Sequence, residues 1–110
     1  MALARLQVDH KSIGEAIDTL ARYARHAERN ADYQGLQAAL LQRAGRSHEA
    51  VDRYQAALAL RSSEGRWWFG LGNALDSDRR PQEAREAYLK ARDTGNLSSD
   101  LATALEQRLR

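Results

Sequence analysis

The 110-residue chain has no cysteine. Disulfides, thiolate metal ligands and a thiol nucleophile are therefore excluded, while compartment stays open. Proline occurs once, at Pro81, and phenylalanine once, at Phe69. No apolar run approaches the roughly 18 residues a membrane span needs, and the N-terminus lacks a signal-peptide core. The expectation is a soluble chain with no direct membrane insertion. Charge of one sign is also missing: Lys plus Arg number 17 against 15 for Asp plus Glu. The pI of 9.3 is weak support for nucleic-acid binding, because the basic residues are spread along the chain and form no stripe. Fifteen of the 17 basic residues are arginine, which reads as a GC-rich bacterial coding sequence and not as a binding signature. What the chain does have is twenty alanines and many leucines. Both lose little side-chain freedom in a helical turn, so the composition favours helix and, at this length, one domain.

Catalytic chemistry has little to stand on. His10, His26 and His48 lie in different segments with no His or Cys three or four residues away, so no metal site is expected. Gly70 and Gly72 fall inside a predicted helix, where they permit close packing and form no phosphate loop. Ser62-Ser63 and Ser98-Ser99 precede helices and read as caps, not nucleophiles. Asp76 and Asp78 stand two apart on a helix, point different ways and read as solvated surface beside Arg79 and Arg80. The expectation is no enzyme and no cofactor.

The organising feature is a repeat with a period of about 34 residues. Glu15-Ala16, Glu49-Ala50 and Glu83-Ala84 recur at that one spacing. Around each repeated alanine the same kinds of residue return. Leu20, Tyr54 and Tyr88 stand four after it, Tyr23, Ala57 and Ala91 seven after it, and Ala4, Ala38 and Gly72 twelve before it. Gln7, Leu41 and Leu75 stand nine before, and Leu6, Leu40 and Ala74 ten before. Large apolar residues alternating with small ones are the pattern of helices packed closely on each other. Each period divides into two helices: Trp68, Leu71, Gly72 and Leu75 follow one helical face, and Ala84, Tyr88 and Ala91 follow another. Gly45 suits the left-handed turn that ends a helix, and Pro81 a first helical position. The repeated Glu is expected in the first turn of each second helix, facing the positive end of its dipole.

These residues resemble the tetratricopeptide repeat (TPR). Trp68, Leu71, Gly72, Ala84, Tyr88 and Ala91 match one copy; Leu75 departs from its aromatic and Asn96 from its proline. Ala38, Leu41, Gly45, Ala50, Tyr54 and Ala57 match a second copy. There Gln34 and Gln37 depart from it, with Tyr33 and Leu36 next to them as candidates for those sites. The first copy is incomplete: its first helix is shortened to about Ala2 to His10, and Leu20 stands at the aromatic site. The resemblance implies an all-α, right-handed solenoid of antiparallel helix pairs with a C-terminal capping helix. The expected divisions are 1–30, 31–64, 65–97 and a cap at 98–110. In that cap Leu97, Leu101, Leu105 and Leu109 form the apolar stripe and Ser98 the N-cap. A narrower likeness joins Gln42-Arg43, Gly45, Trp67-Trp68-Phe69-Gly70-Leu71-Gly72 and Gly95-Asn96-Leu97-Ser98 to the C-terminal region of MSHA-type IV pilus biogenesis proteins. It implies a periplasmic location on a membrane-anchored protein that helps assemble a pilus.

What the TPR resemblance implies about function is protein binding on the concave face lined by the first helix of each pair. Arg66, Phe69, Asn73, Asp76 and Ser77 are expected there in one repeat. Asp32, Gly35, Ala39, Gln42 and Arg43 are expected in the preceding one, with Arg5 and Asp9 before them. Phe69 is expected on a face open to solvent, as a contact for a partner peptide or helix, with Arg66, Asn73 and Arg43 fixing its polar groups. Trp67 is expected to pack onto the second helix of the preceding repeat, with an aromatic contact to the partner as the alternative. Of the basic and amide set with which chaperone-binding members hold a C-terminal carboxylate, only Asn73 matches. A second functional reading is self-association through Leu3 and Leu6 of the N-terminal helix, giving a homodimer.

Overall fold

A computed structural model describes residues 10–22 and 30–110. Among them are six helices and no strand: α1 (His10–Arg22), α2 (Ala31–Arg43), α3 (Ser47–Leu60), α4 (Gly65–Ser77), α5 (Pro81–Thr94) and α6 (Ser99–Leu109). The all-α helical-repeat fold expected from the sequence period is what forms. The expected helix from Ala2, with Leu3, Arg5, Leu6 and Asp9, lies outside the described residues, as does Tyr23. His10, expected to end a helix, begins α1.

Contacts along the helices fix their direction. Arg61, just after α3, reaches back to Asp32 at the start of α2 (Nη1 to Oδ1, 3.1 Å), while Tyr54 in mid-α3 donates to Gln42 near the end of α2 (3.2 Å). The two helices are antiparallel. Pair α4–α5 repeats the arrangement: Tyr88 meets Asn73 and Asp76 late in α4, and Asn96 after α5 accepts from Gly65 N at the start of α4 (3.0 Å).

Among the described residues, those that recur once per period form much of the core. Ala38, Ala50, Ala57, Ala84 and Ala91 are buried, as are Leu41, Leu75, Tyr54 and Tyr88. Small residues are needed where the tyrosines lie. A Cβ on Gly72 would strike the Tyr88 ring, and one on Gly70 would stand 2.5 Å from Tyr54 Cζ. Gly70 and Gly72 thus pack helices, as their position in the pattern indicates. One expectation is corrected in the second copy. Gln34 itself occupies the site equivalent to Trp68 and is buried at 4% exposure, its Oε1 accepting from Arg53 (3.1 Å). Leu36 is only partly buried, although Tyr33 is buried as expected of a replacement.

Helix ends follow local chemistry. After α2, Gly45 adopts φ 80°, Gly45 N donates to Gln42 O and Arg46 N to Leu41 O, a Schellman turn. The same two bonds recur one period on, from Arg79 to Asp76 and from Arg80 to Leu75, with Arg79 at φ 61°. A side chain in the left-handed region is strained by about 1 kcal/mol, and the turn geometry holds it there. Glu49 and Glu83 do sit in the first turns of α3 and α5. Each also pairs with the arginine preceding its helix, Arg46 (2.8 Å) and Arg80 respectively. Glu15, by contrast, falls in the second turn of α1, not its first. Pro81 opens α5 and Ser98 caps α6 by accepting from Leu101 N, both as expected. Ser62 and Ser63 cap nothing. Their carbonyls are used instead, Ser62 O accepting from Trp68 Nε1 (2.8 Å) and Ser63 O from Asn96 Nδ2 (2.6 Å).

The pairs are also joined by charge. His48 Nδ1 on α3 lies 3.0 Å from Asp78 Oδ2 in the turn after α4, and Arg80 approaches the same carboxylate at 3.4 Å. Asp78 is therefore a joint between repeats and not plain solvated surface. The Asp78 hydrogen bond, then its charge and that of Asp52, raise the His48 pKa above its ordinary value. A raised folded-state pKa stabilises fully below about pH 6.5, the unfolded value, and the contribution is lost as pH rises through the folded one. His48→Gln is therefore expected to lower the urea midpoint relative to the parent at about pH 5.5 and to match it at about pH 9. A gap of equal size at both pH values would show that protonation plays no part.

Candidate functional site

Helices α2 and α4 present one face together, and between them lies a groove of about 370 Å³. Its floor is made of small and apolar groups, Gly35, Leu36 and Ala39 of α2, with Tyr54 behind them. Trp67 forms the opposite wall, and Asp32 and Arg66 stand at its mouth. The indole can seat on α2 because position 35 has no side chain. A Cβ there would stand 2.5 Å from Trp67 Nε1 and 2.6 Å from Cε2, so the pyrrole edge of the indole lies directly on the α2 backbone.

The indole seats against Gly35 of α2, the first helix of the preceding pair, and Arg61 at the C-terminal end of α3, the second helix, lies over its ring at 5.4 Å. It is 5% exposed, and among the described residues nothing accepts a hydrogen bond from its Nε1. Leaving a buried N–H unpaired costs about 1–3 kcal/mol, so such groups are rare in folded proteins. Trp68 has its N–H satisfied by Ser62 O, with Lys90 Nζ 5.3 Å from its ring centroid.

Charged groups gather around the Trp67 ring. The guanidinium carbons of Arg61 and Arg66 lie 5.4 and 5.9 Å from its centroid. Arg61 is held by Asp32 at 3.1 Å and by Glu64 at 3.5 Å; Arg66 reaches only Glu64, at 3.6 Å. These side chains are substantially exposed, so each pair contributes at most about 1 kcal/mol. Their effect is to position two cations beside an unpaired donor.

Of the residues expected on the binding face, Arg66 and Trp67 line this groove together with Asp32, Gly35 and Ala39. The others are placed differently. Phe69, expected on a wet face, is 9% exposed, and its ring packs against Tyr88 with centroids 5.8 Å apart. The physical reason is that α5 lies beside this part of α4, so the ring is covered by Tyr88 and does not face solvent. Gln42, Asn73 and Asp76 are engaged by tyrosines of their own repeat. Tyr54 donates to Gln42 Oε1, and Tyr88 OH lies 2.8 Å from both Asn73 Oδ1 and Asp76 Oδ2, donating its one proton to either. Burial pushes the Tyr54 pKa up to about 12. The Tyr88 value is raised by burial first and by the Asp76 hydrogen bond second. Both phenols are neutral donors at physiological pH. Arg43 and Ser77 are exposed at the far end of the face, in the last turns of α2 and α4.

Two contacts escape sequence reasoning. Gly35 reads as a residue of the face but not as the seat of Trp67, because its offset from that tryptophan is no multiple of the period. Asn96, which reads as a departure from proline and as part of the Gly95–Ser98 turn, accepts from Gly65 N and donates to Ser63 O and so ties the end of one pair to its beginning.

Paired antiparallel helices, repeated at one constant spacing with small residues under each tyrosine, are the architecture of one family. A tetratricopeptide repeat model matches residues 36–99. The chain belongs to the tetratricopeptide-repeat family. Members are typically non-catalytic scaffolds that bind protein partners. The match on this TPR chain runs from within α2 through α3, α4 and α5 to the first residue of α6. Comparison with curated proteins finds no match, so the narrower likeness to pilus biogenesis proteins has no homologue behind it. Among the described residues no helix is long and apolar enough to cross a membrane.

Proposed function

We propose that this TPR chain is a non-catalytic interaction module that holds a peptide or helix of a partner protein along the α2–α4 face. The observation that supports the reading is the groove itself: an apolar floor open to solvent, with Trp67 as its wall and an exposed cation at its mouth. Recognition sites of this kind combine an apolar contact area with a few convergent polar groups. In this reading Arg66 and Trp67 make the central contacts. Gln42, Arg43, Asn73 and Asp76 extend the face beyond the groove, with Phe69 a buried member of the same helix packed on Tyr88.

The test is selection of peptides from a random library on the immobilised chain, followed by titration of the best binder. Ala39→Arg, which places a long charged side chain on the groove floor, is expected to weaken that peptide at least about tenfold. Unchanged affinity in a folded Ala39→Arg variant would contradict the reading.

The division into units at 1–30, 31–64, 65–97 and 98–110 is part of the same proposal. Limited proteolysis is expected to cut first near the boundaries. A role in bacterial type IV pilus or secretion assembly, on the periplasmic side of the inner membrane, rests on the Trp67-Trp68-Phe69 and Gly95-Asn96-Leu97-Ser98 likeness. Pilin or secretion-ATPase genes beside the coding gene would support it, and their absence would count against it. Self-association through Leu3 and Leu6 is the alternative function, and a monomer at high concentration in light scattering would exclude it.

A further inference from the structure

We draw no further inference here: the strongest candidate, the cleft between α3 and α5 floored by Trp68, Leu71 and Leu75, carries balanced charge at its rim in Arg80, Glu83, Glu86 and Lys90, and nothing in the structure shows what covers it.

Discussion

Replacing Tyr88 by alanine is expected to lower the stability of the chain by about 3–5 kcal/mol, the range for emptying a buried aromatic site. A small domain is stable by roughly 5–15 kcal/mol, so much of the folded population would be lost. The size of the effect follows from what the ring touches. Tyr88 is 2% exposed, lies against Phe69, fills the hollow left by Gly72 and binds Asn73 and Asp76. Gly72 cannot refill that space, and the ring is the main bridge between α4 and α5 at that level. Tyr88→Phe removes only the hydroxyl, whose two acceptors are open to water, so a loss of about 1 kcal/mol is expected. Urea denaturation separates the two variants. Equal losses would mean that the hydrogen bonds, not the packing, hold the pair together.

Trp67→Ala is expected to be nearly as damaging, at about 3–5 kcal/mol. The indole is buried between α2 and α4 and is the main side chain that seats one repeat on the first helix of the one before. The loss is partly offset because an unpaired N–H leaves the interior with the ring. For that reason Trp67→Phe is expected to be far milder than Trp67→Ala, and milder than the difference in ring size alone would give. A Trp67→Ala loss below about 1 kcal/mol would show a surface tryptophan with no part in stacking the repeats.

The fold was legible because it is written in a spacing. Among the described residues, the alanines, leucines and tyrosines that return once per period become buried, and glycine and proline mark the turns where backbone geometry demands them. The site was only half legible. Helical periodicity put Arg66, Asp32, Gly35 and Ala39 on one face, but it cannot say which gap between neighbouring helices is filled. That depends on pairs from different helices at unequal offsets, Trp67 on Gly35 and Phe69 on Tyr88. An aromatic on the nominally wet side of a helix is buried when the next helix lies over it, and this removed Phe69 from the surface. Polar residues misled in the same manner. Gln42, Asn73 and Asp76 read as free to meet a ligand until Tyr54 and Tyr88 are seen to reach them. Arg79 is the smallest such case: the Schellman turn that Gly45 announces by its identity is repeated there by a residue that gives no sign of it.

The groove between α2 and α4 is the part of this account on which function turns. Calorimetric titration of a library-selected peptide into the parent chain, Ala39→Arg and Gln55→Arg tests it most directly. Gln55 is exposed and lies outside the groove, on a surface shared with Trp68 and Lys90. Loss of binding in Ala39→Arg with full binding in Gln55→Arg is the predicted result. Binding retained in Ala39→Arg and lost in Gln55→Arg, with both variants folded, would place the partner on the opposite face and contradict the account.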